Sequence, residues 1–149
     1  MFHRLLATRP ASLPLILRVA AGTLFFLFSF GKFVRHEAEV RAFDRYGVPW
    51  PEVTVTVVGV LELVGGLLLI VGLLTRPAAL ALAGNMIGAI STGGRVEGGP
   101  IHLGLAPALL IVMLILLRTG GGAHSLDYRL APAPPAFRNG ASGPSAPPV

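Results

Sequence analysis

The sequence predicts an all-α membrane protein: a bundle of four transmembrane helices with a short interfacial helix between the first and the second. The chain has 149 residues, of which 53% are hydrophobic and only 13% are charged, a composition too apolar for an ordinary soluble domain. The apolar residues also fall into four blocks of about 18–22 residues, the length that crosses a bilayer. A soluble protein with a large core is the alternative, but four such blocks would leave it almost no polar face.

The four predicted membrane helices follow from these blocks in chain order. The first covers residues 13–33, and the second covers residues 51–74 with a proline in its first turn, where proline is tolerated. The third covers residues 77–92 and ends before a Gly-Gly pair, and the fourth covers residues 101–117.

Residues 35–50, between the first two membrane helices, have a different pattern. Val40, Phe43 and Tyr46 recur at intervals of three, and charged residues fill the gaps. This pattern indicates a short helix lying in the membrane interface, with Tyr46 and Trp50 at the level of the head groups. A plain charged loop is the alternative.

The flanking segments complete the predicted organisation. We expect residues 1–12 to form an N-terminal cytoplasmic segment, residues 13–118 the transmembrane domain, and residues 119–149 a Gly- and Pro-rich tail, largely disordered beyond residue 130. Seven of the twelve Lys and Arg residues lie on the side of both termini and five on the other. This asymmetry favours cytoplasmic termini.

Composition also excludes several function classes. The chain has no cysteine, which excludes disulfides, thiolate metal sites and dithiol chemistry by the chain itself. The net charge of +5 indicates topology and contact with anionic membrane lipids, and we expect no nucleic-acid partner. The four histidines show no spacing typical of a zinc site or of a bis-His haem, so no metal site is predicted.

Glu62 lies in the middle of the second membrane helix, within the stretch VVGVLELVGGLLLIVG. An acid at this depth should be protonated, or paired with a cation or a hydrogen-bond donor. Asn85 falls near the same level of the third helix, so we expect a hydrogen bond between the two. A purely structural hydrogen bond is the alternative to a functional role.

Other polar residues are predicted to lie at further depths of the bundle and to form, with Glu62 and Asn85, a polar ladder across it. Lys32 and His102 fall near the outer ends of their helices and Arg18 near the inner end of the first helix, where Arg18, Ser29 and Lys32 share one stripe that faces the bundle. Snorkelling to the head groups is the alternative for Lys32 and Arg18, and an interfacial position is the alternative for His102.

Small residues are predicted to mark close contacts between helices. Glycines flank Glu62, and a second series of small residues runs along the third helix. The first group is Gly59, Gly65 and Gly66, and the second is Ala81, Gly84, Gly88 and Thr92.

Four sequence motifs carry a family resemblance. A first helix that ends in GKF is followed by AFDRYGVP at residues 42–49, LELVGGLLLIVGLLTRPAAL at residues 61–80 and GGGAHSLD at residues 120–127. Together they resemble the DoxX family of small four-helix membrane proteins. The resemblance covers about residues 13–130, and the long Pro-rich tail departs from it.

The resemblance implies a bundle in the bacterial cytoplasmic membrane and an association with redox chemistry. Family members include a subunit of an archaeal thiosulfate:quinone oxidoreductase and a component of an actinobacterial membrane complex with superoxide dismutase and a sulfurtransferase. Lys32, Glu62 and Asp127 match recurrent polar positions of the family, and Ser125 and Asp127 belong to its cytoplasmic Ser-Leu-Asp motif.

We therefore expect a membrane subunit of a redox-associated complex that anchors other protein subunits and contacts quinone. In this hypothesis Glu62, with His102 and Lys32, handles protons beside the quinone head group, because carboxylate and imidazole suit acid–base work. Two alternatives remain open at this point. One is a purely structural accessory subunit or homo-oligomer component, and the other is a small proton-coupled transporter.

Overall fold

The computed structural model describes residues 12–130, and this part of the chain is helical without any strand. Three helices are long and apolar enough to cross a membrane: α1 at Leu13–Val34, α3 at Pro51–Val71 and the last long helix at Ile101–Thr119. The prediction of an N-terminal cytoplasmic segment concerns residues that, apart from Ser12, lie outside the described range. The predicted disorder beyond residue 130 also lies outside it.

The remaining helices are shorter. α2 covers His36–Arg45, α4 covers Thr75–Ser91, α5 is a single turn at Gly93–Val96, and α7 covers Leu126–Leu130. At 17 residues, α4 is the shortest of the four predicted membrane helices, and it begins two residues before the predicted Pro77.

The last long helix begins with an irregular turn that the sequence analysis did not predict. Ile101–Leu105 form a π-helical turn, and Ala106–Thr119 form the regular helix α6. The backbone N–H of Ala106 donates to the carbonyl of Ile101, five residues earlier. Pro107 has no N–H to give to the preceding turn, so a local change of hydrogen-bond register is expected there.

The core lies where α1, α3, α4 and α6 meet. Its buried side chains are mostly Ala, Leu, Phe and Met, and those with 2% exposure or less are Ala21, Phe25, Leu69, Ala79, Leu82, Met113 and Leu116. Outward positions on the same helices carry exposed Val, Leu, Ile and Phe. This inverted surface is what a bilayer solvates.

Glycine sets the closest helix contact, between α1 and α3. A Cβ placed on Gly22 would lie 2.7 Å from the carbonyl oxygen of Gly66, and a Cβ on Gly66 would lie 2.7 Å from the carbonyl oxygen of Gly22. Gly65 lies in the same way against Leu82 of α4. The glycines beside Glu62 therefore act in packing, as predicted.

Candidate functional site

Glu62 holds the centre of a buried polar network. Its residue exposure is 4%, and its two carboxylate oxygens have different partners. The ammonium of Lys32 lies 2.8 Å from Oε2, and the amide Nδ2 of Asn85 donates to Oε1 at 2.8 Å. One helix supplies each residue: α1, α3 and α4. The pair of opposite charges is neutral overall, which reduces the cost of burying it.

The predicted hydrogen bond between Asn85 and Glu62 is thus present in the structure. The predicted polar ladder placed Lys32 and Glu62 at separate levels. This prediction is wrong, because the ammonium of Lys32 contacts the carboxylate of Glu62 directly. The Cβ of Lys32 lies beside Gly59, 3.6 Å from where a Cβ on that glycine would stand, so Lys32 is only about one helical turn from the level of Glu62. The flexible four-carbon side chain of lysine spans the remaining distance.

A cavity of about 790 Å³ opens beside this network. Lys32, Glu62, Asn85 and His102 line it together with mostly apolar residues of α1, α3 and α4, and α2 contributes Glu39, Ala42, Phe43 and Tyr46. A smaller cavity of about 100 Å³ reaches inward between α1, α4 and α6. Lys32, Glu62 and His102 line both cavities, so the ion pair lies where the two meet.

His102 lies in the wall of the same cavity as Glu62 and Lys32, as the acid–base hypothesis requires. Its ring packs edge-on against Tyr46, with ring centroids 5.6 Å apart. Gly93 makes room for it, since a Cβ there would lie 2.6 Å from the imidazole. The π-helical turn and Gly93 together therefore set the position of this histidine. The sequence predicted Gly93 only as part of the Gly-Gly pair that ends the third helix, and it did not predict the π-helical turn.

The rim of the large cavity carries a second set of polar contacts that sequence reasoning missed. Arg45 of α2 pairs with Glu97 at 3.0 Å, and the hydroxyl of Tyr46 donates to the same carboxylate. Burial and this hydrogen bond raise the pKa of Tyr46 to about 12. The hydrogen bonds from Tyr46 and Arg45 in turn lower the pKa of Glu97. These contacts tie α2 to the segment that follows α5.

Arg18 and Ser29 are both buried, at 2% and 0% exposure, but neither joins the network at Glu62. The hydroxyl of Ser29 donates to the carbonyl of Phe26 within its own helix. Arg18 lies at the opposite end of the bundle, where its Nη2 atom donates to the carbonyl of His124 at 2.6 Å. The predicted polar ladder is therefore two separate clusters.

The predicted Ser-Leu-Asp motif belongs to the cluster of Arg18. Asp127 accepts hydrogen bonds from the backbone N–H groups of Leu74 at 2.7 Å and Thr75 at 2.9 Å, the first turn of α4. Leu74 has a left-handed φ of 49°, which is unfavourable for a leucine. The carboxylate thus stabilises a strained turn and the start of a helix together.

Residues 120–130 form a strap across this end of the bundle. Ser125 within it is 1% exposed, and the N–H of Asp127 donates to the carbonyl of Gly72 at 3.0 Å. Burial raises the pKa of Asp127, but the hydrogen bonds from Thr75 and Leu74 outweigh it, so the pKa is lowered overall. The sequence signal for this arrangement was the GGGAHSLD motif at residues 120–127, which marked Ser125 and Asp127 but not their partners.

The DoxX family model matches residues 13–95 of the chain. An inner membrane protein of Escherichia coli, YphA, is 30% identical over 131 residues, which cover 83% of this chain and 93% of the relative. An uncharacterized membrane protein of Mycobacterium tuberculosis, Rv3486, is 38% identical over 60% of this chain and 63% of the relative. A Bacillus subtilis protein named putative oxidoreductase CatD is 37% identical over 52% of this chain and 57% of the relative. No solved structure matches the chain.

Proposed function

Since this chain belongs to the DoxX family of membrane proteins, we propose that it is a membrane subunit of a redox-associated complex and that its large cavity binds a quinone-type ligand. The observation that carries the proposal is the Lys32–Glu62–Asn85 network in the wall of a largely apolar cavity of about 790 Å³. This volume is typical of small-molecule sites. The name of the Bacillus subtilis relative, a putative oxidoreductase, supports the redox part.

The hydrogen-bonding chemistry of the site favours a neutral acceptor. Both oxygens of Glu62 already accept hydrogen bonds, whereas the ammonium of Lys32 carries three N–H donors and gives one of them to Glu62. His102 offers a further ring nitrogen at the cavity wall. Lys32 and Arg35 face three acids in the cavity wall, Glu39, Glu62 and Glu97. The site therefore has no excess positive charge to attract an anion, and the carbonyl oxygen of a quinone fits the donors of Lys32 and His102.

In this proposal the residues of the chain bind the ligand and handle protons, and the electrons are exchanged with a partner subunit. Lys32 and His102 hold the head group by its oxygens. Glu62, which holds Lys32 in place, accepts or returns a proton when the ligand changes its protonation. The apolar cavity wall excludes bulk water and strengthens these polar contacts.

The proposed membrane architecture has four spans within residues 13–118, with both termini in the cytoplasm. α4 spans about 26 Å at 17 residues, slightly less than the roughly 30 Å of a hydrocarbon core, and α5 continues it toward the membrane surface. α2 lies in the interface, since it carries five charged residues. The tail from residue 131 offers an attachment segment for a partner protein.

The test measures ligand binding in lipid nanodiscs. Decylubiquinone is titrated into the wild-type protein, into Glu62→Gln and into a matched control, Glu52→Gln, which removes an exposed acid of the same helix. We expect the affinity to fall at least tenfold in Glu62→Gln and to stay within twofold in the control. Equal affinity in all three proteins would show that Glu62 is not part of the binding site. A wild-type protein that binds no quinone would contradict the proposed function.

A purely structural accessory subunit is the second candidate. The observation that favours it is that the protein itself already satisfies both oxygens of Glu62. Native mass spectrometry of protein extracted gently from its own membrane separates the two candidates. A bound quinone supports the first, and a stoichiometric partner subunit without quinone supports the second.

The transporter hypothesis has less support in the structure. Between the Glu62 network and the Arg18 cluster lie the buried side chains of Phe25, Leu69 and Leu82, and they form an apolar layer across the bundle. A path for ions or protons would have to cross it. Flux measurements in proteoliposomes test this hypothesis directly.

A further inference from the structure

The glycines of the bundle fall into two classes. At Gly22, Gly65 and Gly66 an added Cβ would come within about 3 Å of a neighbouring helix, so these glycines are needed for packing. At Gly84 and Gly88 of α4 an added Cβ would meet nothing within 4 Å. The prediction that this second pair brings two helices together is therefore wrong within this chain.

Gly84 and Gly88 lie instead at the edge of the large cavity. Both residues are exposed, and both line the cavity. Asn85 lies between them and donates to Glu62. α4 packs tightly on α3 where Leu82 meets Gly65. Beyond that contact the cavity is lined by Val58 of α3 and by the two glycines of α4.

The cavity wall on the α2 side has a different character. Phe43 and Tyr46 of α2 line it there, and Glu97 holds α2 in place through Arg45 and Tyr46. A molecule coming from that side would have to pass these polar groups and displace an aromatic pair. On the other side, Gly84 and Gly88 present no side chain, and Val58 opposite them is apolar. This edge therefore offers an apolar molecule the path of lower resistance.

From these observations we propose that Gly84 and Gly88 form one edge of a lateral entrance between α3 and α4. Through this entrance a neutral amphiphile passes from the bilayer into the cavity. The ligand has an apolar body that remains between α3 and α4 and an oxygen-bearing head that reaches Lys32. Only the identification of this ligand as a quinone depends on the proposed function. The entrance itself depends on the two glycines and the cavity.

The first test narrows the entrance. Gly88→Leu and Gly84→Leu place side chains in open space, so both variants should fold. Ala81→Leu is the matched control, because Ala81 is exposed on α4 but does not line the cavity. Association rates of decylubiquinone are measured by stopped flow in nanodiscs. We expect at least a tenfold fall in Gly88→Leu and a change of less than twofold in Ala81→Leu.

Two results of this experiment would overturn the entrance. One is an association rate in Gly88→Leu and Gly84→Leu equal to that of the wild type. The other is an equal fall in Ala81→Leu together with a shift from dimer to monomer, because the small residues of α4 would then be a contact between two copies of the chain.

A second measurement does not depend on quinone. The chain has no cysteine, so Gly88→Cys carries a single spin label. We expect this label to collide with oxygen dissolved in the lipid far more often than with a water-soluble nickel chelate. Predominant collision with nickel, or dipolar broadening between labels on two copies, would contradict the entrance. If the label at Gly88 is accessible from the lipid but the protein binds no quinone, the result would support the entrance and contradict the proposed function.

Discussion

Replacing Lys32 by Met should destabilise the protein strongly, because it leaves the carboxylate of Glu62 buried without its cation. The side chains of Lys32 and Glu62 are 13% and 5% exposed, so the ion pair is largely buried. Breaking a buried pair from one side costs about 3–5 kcal/mol.

The expected loss in the free energy of unfolding is thus about 2–4 kcal/mol at pH 7, since the hydrogen bond from Asn85 to Glu62 remains. The assay is reversible unfolding by sodium dodecyl sulfate in mixed micelles, followed by circular dichroism. The double variant Lys32→Met/Glu62→Gln removes both charges and should recover most of the stability.

A loss of less than about 1 kcal/mol in Lys32→Met, the range typical of an exposed pair, would contradict this prediction. A double variant no more stable than the single variant would contradict it too. Either result would mean that the two groups do not neutralise each other within the bundle. Arg41→Met is a suitable control, since Arg41 pairs with Glu37 at 3.8 Å on an exposed face of α2.

Three further predictions concern the packing and the strap. Asp127→Ala should lower the free energy of unfolding by about 1–2 kcal/mol through loss of the α4 cap. Because the pKa of Asp127 is lowered in the fold, that contribution is present above its ordinary pKa of 3.8 and is lost as the pH falls through the lowered value. The stabilities of the two proteins should therefore converge in acid, and a difference that stays constant down to low pH would contradict this. Gly66→Ala should cost about 1–3 kcal/mol by overpacking against α1, whereas Gly84→Ala should be neutral or slightly stabilising in the same assay. Arg18→Met should free the strap, seen as faster hydrogen exchange at residues 120–130, and unchanged exchange would mean that Asp127 alone holds it.

The two polar clusters show why distances along the sequence gave only part of the site. Asn85 and Glu62 were predicted as a pair, because helix rise alone places them at the same level. Lys32 lies 30 residues from its partner, and counting from the helix ends places it at a different level from Glu62. In the structure the Cβ of Lys32 lies beside Gly59, about one turn from Glu62, because α1 and α3 are staggered along each other in a way that the count does not reveal. The place of Lys32 at the cavity depends on how closely α1 approaches α3, and Gly22 and Gly66 set that distance.

The contacts of the strap, at the other end of the molecule, were also only partly predictable from the sequence. The family motif at residues 120–127 marked Ser125 and Asp127 as important. The hydrogen-bond partners of Asp127 lie about 50 residues earlier, at Leu74 and Thr75, whereas Ser125 bonds within the strap to Gly122 and Tyr128. The backbone N–H groups of Leu74 and Thr75 lie at the start of α4, where no helix carbonyl accepts from them. They therefore require a hydrogen-bond acceptor from elsewhere in the chain. The sequence contains that acceptor but does not state which turn it reaches.

The class of this protein and the places of its long helices could be predicted from the sequence, because hydrophobic segments of bilayer length and the positions of Pro and Gly act locally. The sequence also predicted that Glu62 is protonated or paired, and it named Asn85 as a partner. The packing of the helices was needed to show that Lys32 joins Asn85 at Glu62, that Arg18 belongs to a separate cluster, and that Gly84 and Gly88 face open space. These outcomes depend on the angles and distances between packed helices, which arise from many contacts together and not from any one segment.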